Sequence, residues 1–457
     1  MGQEHILNRK KHLHFIGIGG SGMFPLVEIL HSEGFEISGS DNNESDIVKM
    51  VRALNIPVQM EQRAQNIQGA DLIVYSAAIL PDNEELQAAK NSGIPTIERS
   101  VLLGEITRRY SSCICVSGTH GKTTATSMLT EILLDAGKDP TMVIGGKLKS
   151  IGKYGRAGNS PIMTCEACEF VDTFLKLDPN IAVVLNIDCD HMDYFKTMEN
   201  LKQSFYEFCS HADKAILYNG DDQNCREVLE RLNNKRKVSF GLSEKNDYYP
   251  KNISYSENLS ILFDLYHRDD FIAPLTVHVP GKHNILNAVA AAAAALEVGV
   301  EPDALAPGLS QFHGAGRRFE FLGKKNDVAI VDDYAHHPAE IRATLETAKE
   351  LPFQRVWAVH QPFTYSRTKA LLDDFASALS LADFTVLTEI MGGREKNHHD
   401  IFAKDLADKI DGAVSFATQE EVAAYVLEHA KPGDLVITMG CGDIYKAAKI
   451  MLYGEYC

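Results

Sequence analysis

The densest run of chemistry-bearing residues is Gly118-Thr119-His120-Gly121-Lys122-Thr123-Thr124, which follows an apolar segment ending at Ser117 and opens a helical pattern. Glycines let backbone amides cradle phosphates, a lysine reaches the β- and γ-phosphates, and the next hydroxyl can ligate magnesium. Packing alone does not demand Gly-Lys-Thr-Thr at a strand-to-helix turn. The run departs from the strict phosphate-loop spacing, because the first glycine belongs five positions before Gly121, where Val116 stands. The shortened loop keeps each chemical part. Magnesium held by Thr123 and phosphates alone is under-ligated, so further ligands are expected from neighbouring strand ends. Glu166, after Pro161 to Thr164, and Asp190-His191, after the strand ending in Asn186, fit that place.

Two further clusters sit at strand ends. Gly17-Ile18-Gly19-Gly20-Ser21-Gly22 follows one apolar strand and precedes a helix, with Asp41 closing the next strand about 20 residues on. That context suits a nucleotide diphosphate: glycines for the tight turn and close approach of amides, a helix N-terminus for the anion, an acid for a ribose hydroxyl. It does not choose between a dinucleotide and a sugar nucleotide, and a turn kept only for helix-strand packing is the plainer alternative. Asp332-Asp333-Tyr334-Ala335-His336-His337-Pro338 follows the strand Val328 to Val331, with Pro338 suited to a first helical position. Arg317-Arg318 reads either as a clamp for phosphate or carboxylate or as a solvated linker.

Elements that position these residues alternate between β-type and helical patterns, which argues for α/β units around largely parallel sheets. Strands are expected at Leu13 to Ile18, Glu36 to Ser40, Asp71 to Ser76, Cys113 to Ser117, Ile181 to Asn186, Val328 to Val331, Val356 to His360, Phe384 to Thr388 and Leu435 to Met439. Helices are expected near Met23 to Ser32 and from Lys122 to Ala136. Three α/β blocks follow, 1–107, 108–314 and 315–457, about what 457 residues allow at roughly 150 per domain.

Composition narrows the partners. Lys+Arg 45 against Asp+Glu 62 gives a net charge of −17, which repels nucleic acid and anionic membrane surfaces. No apolar run reaches the roughly 18 residues of a membrane span. The basic, polar stretch from Met1 to Leu13 lacks a signal core. Nine scattered cysteines fit free thiols in a reducing cytoplasm, so cytoplasmic residence is expected. Cys165-x-x-Cys168 has metal or redox spacing but lacks a second pair.

Taken in order, GIGGSGM at 17–23, SGSD at 38–41, GTHGKTT at 118–124, EACE at 166–169, NIDCDHMD at 186–193, GKHNILNA at 281–288, GAGRRFE at 314–320 and DDYAHHP at 332–338 closely resemble the Mur ligases of peptidoglycan synthesis. The resemblance implies an N-terminal Rossmann-like domain for a UDP-sugar, a central ATPase domain with a mixed or parallel sheet, and a C-terminal Rossmann-like domain. It implies ATP and Mg2+ as cofactors, and UDP-N-acetylmuramate and L-alanine as substrates. The activity is then an amide ligation through an acyl phosphate, and the oligomeric state stays open. Carried over by position, Gly118, Thr119, His120, Gly121, Lys122, Thr123 and Thr124 form the ATP loop, with Thr123, Glu166 and His191 at the metal. Asn284 and Asn287 fall near the adenine, Asp333 at its ribose and Arg318 at the ATP site. His336 falls near the incoming amino acid, and Arg367 is retained in a segment where Thr364 replaces an arginine. Gly19, Gly20, Ser40, Asp41, Ser76, Arg99 and His120 fall where the family holds the UDP-sugar. Lys122, His191, His336 and Arg367 are the catalytic candidates.

Departures refine the branch. The second and third amino-acid-adding ligases carry a carbamoylated lysine about fourteen residues past the Asp-His motif, where this chain has Phe205. That favours the alanine-adding branch, with the tripeptide-adding recycling branch as the alternative. Cys168 replaces a common aspartate, which makes the Cys-x-x-Cys spacing a coincidence. A nicotinamide-dependent dehydrogenase explains Gly17 to Asp41 but leaves Lys122, Thr123 and Asp333 idle. A non-catalytic nucleotide-binding regulator keeps the loop without turnover.

Overall fold

Apolar runs broken by glycine turns fold into three sheets in this computed structural model, which describes residues 6–454 apart from 9, 257–259, 313, 315, 316, 318, 394 and 399. The first sheet has the spatial order Val58–Gln59, Glu36–Ser40, His12–Ile16, Leu72–Tyr75, Thr96–Glu98, with every pair parallel. Strands of such a sheet are buried on both faces, and Leu13, Phe15, Ile16, Leu72, Ile73 and Val74 are fully buried. The first strand stops two residues short of expectation because Gly17 takes a left-handed φ of 81°. Parallel pairing brings the C-terminal ends together, so Gly17–Gly22, Asp41, Ser76 and Arg99 gather on one edge.

The middle sheet has ten strands. Its parallel centre runs Lys237–Phe240, Ala215–Asn219, Ile181–Val184, Ser112–Ser117, Ile162–Glu166, Thr141–Leu148. Glu166 is therefore the last residue of its strand, paired in register with Val116. Tyr248–Tyr255, Ile261–His267 and Asp270–Val277 extend one side as an antiparallel meander that the sequence reading did not anticipate. Its signal is period two: Ile261, Phe263 and Leu265 turn inward while Leu262 and Asp264 face out. Helix Lys122–Asp135 follows the phosphate loop as expected and is buried along nearly its whole length.

Packing divides the described chain into two compact units. One spans the first two blocks up to His278 and resumes at His283; the other comprises Val279–Lys282 and the chain from Gly314. Within the first unit, the blocks approach closely: Glu28 accepts a hydrogen bond from the Gly155 amide at 3.1 Å, and a Cβ on Gly155 would stand 2.5 Å from Pro25 Cα. Burial outweighs the help of Gly155 and Lys153 and pushes the Glu28 carboxyl above its ordinary range. The second unit orders its strands Glu320–Lys325, Val328–Asp333, Leu435–Met439, Val356–His360, Phe384–Thr388, Val414–Phe416, only the first being antiparallel. Pro338 opens helix Pro338–Lys349, capped by His337 and Glu340. No helix is long and apolar enough to cross a membrane among the described residues, and the cysteines described there are free.

Helix Arg99–Thr107, which carries Arg99 at its start, packs so tightly that a Cβ on Gly104 would lie 2.1 Å from the carbonyl oxygen of Lys176. Alanine is the better helix former by about 1 kcal/mol, whereas overpacking costs about 1–3 kcal/mol. Gly104→Ala is expected to lower the thermal midpoint of the first unit; a raised midpoint would show that the helix has room to slide.

Candidate active site

The phosphate loop is shaped by residues on the neighbouring strand. Gly118 and Gly121 hold φ of 138° and 84°, and a Cβ on Gly121 would stand 2.6 Å from Asn287 Oδ1, so this turn admits only glycine. Asn287 reaches it from helix Lys282–Glu297, with its amide donating to Asn284 Oδ1 at 3.3 Å. Asn186 clamps the loop from the other side: its Oδ1 accepts from the His120 amide at 2.8 Å and its Nδ2 donates to the His120 carbonyl at 3.0 Å. Thr119 Oγ1 accepts from the Asp188 amide at 2.8 Å, and His120 Nε2 lies 3.8 Å from Asp188 Oδ2. Asn186 sits inside a motif legible in the sequence, yet its role depends on which strand lies beside the loop.

Lys122 points into this frame. Its Nζ donates to the Gly118 carbonyl at 2.6 Å, the Thr119 carbonyl at 3.1 Å and both oxygens of Glu169 at 2.9 and 3.2 Å. Burial pulls the ammonium down, but Glu169, with Cys168 and Glu166 beyond it, more than reverses this and holds Lys122 above the usual lysine range. Glu169, itself buried, is the functional residue that the sequence reading left without a role. Thr123 Oγ1 donates to Glu166 Oε2 at 2.9 Å, which also accepts from the Gly145 amide at 2.7 Å. A hydroxyl and a carboxylate that close are hard oxygen donors of the kind magnesium takes alongside phosphate oxygens and water. His191 has its ring against Phe170 at 4.7 Å and its Nε2 3.6 Å from Asp190 Oδ2. Among the described residues no three His, Cys, Asp or Glu converge on a metal position.

On the first sheet, the amides of Gly17 and Ile18 donate to the Ser40 carbonyl at 2.8 and 3.0 Å, Gly19 donates to Asp41 Oδ2 at 2.9 Å and Gly20 to the Gly17 carbonyl at 3.2 Å. These amides are engaged within the protein, so the glycines serve by close approach: a Cβ on Gly19 would lie 2.6 Å from Val48. Ser40, expected among the sugar-nucleotide contacts, is fully buried, and its hydroxyl donates to Glu85 at 2.6 Å. Gly19, Gly20, Asp41, Ser76, Gln62 and Asn83 line a cavity of 540 Å3. A second cleft, of 410 Å3, is lined by Gly20, Gly22, Ser76 and Arg99 and also by Gly145, Glu166 and Cys168. The Arg99 side chain comes within 3.4 Å of where a Gly22 Cβ would stand. Burial pushes the Cys168 thiol up, so it stays protonated there. Phe205, at the position of the carbamoylated lysine in other branches, is fully buried against Phe174.

The second unit carries its own cluster. Asp333 accepts from the Phe319 amide at 2.6 Å and the Ala335 amide at 2.7 Å, and His336 Nδ1 lies 3.1 Å from the Tyr334 carbonyl and 3.2 Å from Glu340. Arg317 donates to buried Asp332 at 2.8 Å and to the Gly440 and Gly442 carbonyls, so its guanidinium is held by the protein itself, which is neither the ligand clamp nor the solvated linker expected of it. Arg318 lies outside the described residues. Thr364, where an arginine was expected, caps helix Tyr365–Ala370 by accepting from the Arg367 amide at 3.4 Å. His360, at the end of its strand, is fully buried; Nδ1 donates to the Met439 carbonyl at 3.0 Å and Nε2 has no hydrogen-bond partner.

Burial, with His336 nearby and against the Met439 carbonyl, holds the His360 imidazole down at about 4. The unfolded chain, titrating near 6.5, therefore binds a proton that the folded chain refuses, and stability falls as pH drops from about 6.5 toward 4. By this linkage His360→Phe gains about 2 kcal/mol on wild type between near pH 7 and near pH 5, read from urea midpoints. Parallel pH dependences would show that His360 titrates alike in both states.

Residues 12–111 match "Mur ligase family, catalytic domain", 116–295 "Mur ligase middle domain" and 317–442 "Mur ligase, glutamate ligase domain". The chain is 43% identical over 452 residues to a UDP-N-acetylmuramate--L-alanine ligase of Caldanaerobacter subterraneus subsp. tengcongensis, covering 98% of each chain. It is 44% identical to the protein of that name from Agathobacter rectalis, covering 96% of this chain and 97% of the relative. Among solved structures, UDP-N-acetylmuramate-alanine ligase from Thermotoga maritima superposes with a TM-score of 0.82 at 27% identity, over 97% of this chain and 98% of that one. A murein peptide ligase from Psychrobacter arcticus gives 0.73 at 25% identity over 97% and 98%. With identity above two fifths along nearly the whole length and each of three domains matched in order, this chain belongs to the Mur ligase family.

Proposed function

We propose that this protein joins L-alanine to the lactyl carboxylate of UDP-N-acetylmuramate at the expense of ATP, a step in building peptidoglycan precursors in the cytoplasm. One observation carries the reading: the 410 Å3 cleft is lined at once by the glycine turn and Arg99 of the first sheet and by Glu166, the hydrogen-bond partner of Thr123 beside the phosphate loop. Two anion-binding ends of two sheets open into one space, so a carboxylate from one ligand and the γ-phosphate of the other can meet there.

The chemistry follows from that meeting. A carboxylate oxygen attacks the γ-phosphorus, the bridging P–O bond breaks and ADP leaves, giving an acyl phosphate. The neutral amine of alanine attacks the acyl carbon; the tetrahedral intermediate expels phosphate by breaking the C–O bond, and the nitrogen loses one proton as the amide forms. Phosphoryl transfer asks the protein for positioning and charge neutralisation. Lys122 would place an ammonium at the phosphates, Thr123 and Glu166 would hold Mg2+, and Asn287, bonded to Asn284, stands against Gly121 of the loop, which supports assigning both to the nucleotide base. Bound magnesium supplies charge neutralisation at the phosphate oxygens. Gly19, Gly20, Asp41, Ser76, Arg99 and His120 hold the UDP-sugar. The family resemblance supports assigning Asp333 and Arg318 to the nucleotide, His191 to the metal, and His336 and Arg367 to the amino acid. The likeness to a murein peptide ligase keeps a tripeptide acceptor as the second reading.

The test is phosphate release from ATP and Mg2+ with the UDP-sugar plus L-alanine, glycine, L-serine or tripeptide, each component omitted in turn. Turnover is expected only with all components and to be fastest with L-alanine; release without the UDP-sugar would sink the proposal, and tripeptide preference would select the second reading. Lys122→Ala is expected to slow turnover roughly 10²–10³-fold, the cost of one transition-state charge contact. An unchanged rate would show that Lys122 does not touch the transferring group.

A further inference from the structure

A polar chain, half-buried at His12 and Ser38 and fully buried at His14, Ser40 and Glu85, runs through the first sheet, and no step of the chemistry uses it. His12 Nδ1 lies 3.0 Å from the Gly69 carbonyl and its Nε2 lies 2.7 Å from Ser38 Oγ. Ser38 Oγ lies 2.8 Å from His14 Nδ1, and His14 Nε2 lies 2.7 Å from Glu85 Oε1. The Ser40 hydroxyl closes the chain by donating to Glu85 Oε2 at 2.6 Å. His14, Ser40 and Glu85 are 1%, 0% and 0% exposed, where an unpaired charge costs several kcal/mol, about what breaking a buried pair does.

Counting protons shows the chain to be fully satisfied. A carbonyl only accepts, so the proton of a neutral His12 sits on Nδ1 and its Nε2 accepts from Ser38. Ser38 has then used its one proton and accepts from His14 Nδ1–H. A single further proton is shared between His14 Nε2 and Glu85 Oε1, and Ser40 donates to the other oxygen. With that assignment each donor has its acceptor, the condition under which a polar network specifies one geometry.

What it specifies is the UDP-sugar site. Ser40 accepts the Gly17 and Ile18 amides through its carbonyl, and the next residue, Asp41, accepts the Gly19 amide, so residues 40–41 fix three successive amides of the turn. Glu85 lies in the first turn of helix Glu84–Asn91, whose N-cap Asn83 lines the 540 Å3 cavity together with Gln62, Gly19 and Asp41. We infer that Glu85 and His14 are positioning residues for the nucleoside diphosphate end of the UDP-sugar: Glu85 ties the glycine turn, through Ser40, to the Asn83 wall and so sets the width of that cavity. This rests on reading the first sheet as the UDP-sugar site.

The experiment compares Glu85→Leu, Ser40→Ala and Glu85→Gln with wild type. Leucine removes both hydrogen bonds at similar size, Ser40→Ala removes only the tie to the turn, and glutamine can still donate to His14 and accept from Ser40. KM for the UDP-sugar is expected to rise roughly tenfold to a hundredfold in Glu85→Leu and several-fold in Ser40→Ala, the range for losing hydrogen bonds to a charged group. KM for ATP and for alanine stays within about twofold, and Glu85→Gln restores most of the affinity for the UDP-sugar. Ser40→Ala deletes a single oxygen, which keeps the test open should Glu85→Leu not fold. An equal rise in all three KM values, or an unchanged KM for the UDP-sugar in a folded Ser40→Ala or Glu85→Leu, would overturn the inference while leaving the proposed function standing. Calorimetric titration of wild type with the UDP-sugar alone separates the two levels: no binding there overturns the site reading and this inference with it.

Discussion

An ammonium held among carboxylates at the mouth of a parallel sheet is the constraint on which the rest depends. Lys122 is half-buried, with its donors spent on two loop carbonyls and Glu169. Without Glu169 the desolvation of that ammonium would go uncompensated, and without the glycines at 118 and 121 the carbonyls could not turn toward it. The same frame keeps Glu166 against Thr123, so an arriving triphosphate finds a cation, a hydroxyl and a carboxylate already placed. Preorganisation of this kind is what a reaction without covalent enzyme chemistry requires.

The loops at Gly17, Asp41, Gly118, Glu166 and Asp333 reach their places by one rule, that parallel strands deliver their C-terminal ends to one edge, while Asn284 and Asn287 come from a helix. The rule explains how residues far apart in sequence share a cleft, and why a chain of net charge −17 can take two polyphosphates. On the proposed function, Lys122, Arg99 and bound magnesium would meet those anions locally.

Much of this was legible in the sequence because glycine-rich turns and the lysine-hydroxyl pair have few other uses. The strands that lead into Gly17 and Gly118 and the strand that ends at Asp333 stand where their apolar runs placed them, and Pro338 opens its helix. What stayed hidden depends on neighbours in space. Glu169 looks like any acid after a strand until it is seen against Lys122, Asn186 until its strand is seen beside the loop. Ser40 reads as a ligand contact in a Ser-Gly-Ser-Asp run, yet its hydroxyl points to Glu85, forty-five positions away on a helix that the motif does not include. The meander from Tyr248 to Val277 was missed although its alternation was present, because no chemical motif drew attention to it. Thr364 shows the reverse: a departure from pattern that has a local explanation, capping its own helix.

The central claim is that the two sheet ends meet so that a carboxylate of one ligand takes the phosphoryl group of the other. Labelling that carboxylate with 18O and examining the released phosphate by mass spectrometry tests it most directly. The account predicts that phosphate carries one labelled oxygen per turnover, transferred when the C–O bond of the acyl phosphate breaks. Unlabelled phosphate, with the oxygen lost on amide formation appearing in water instead, would contradict it.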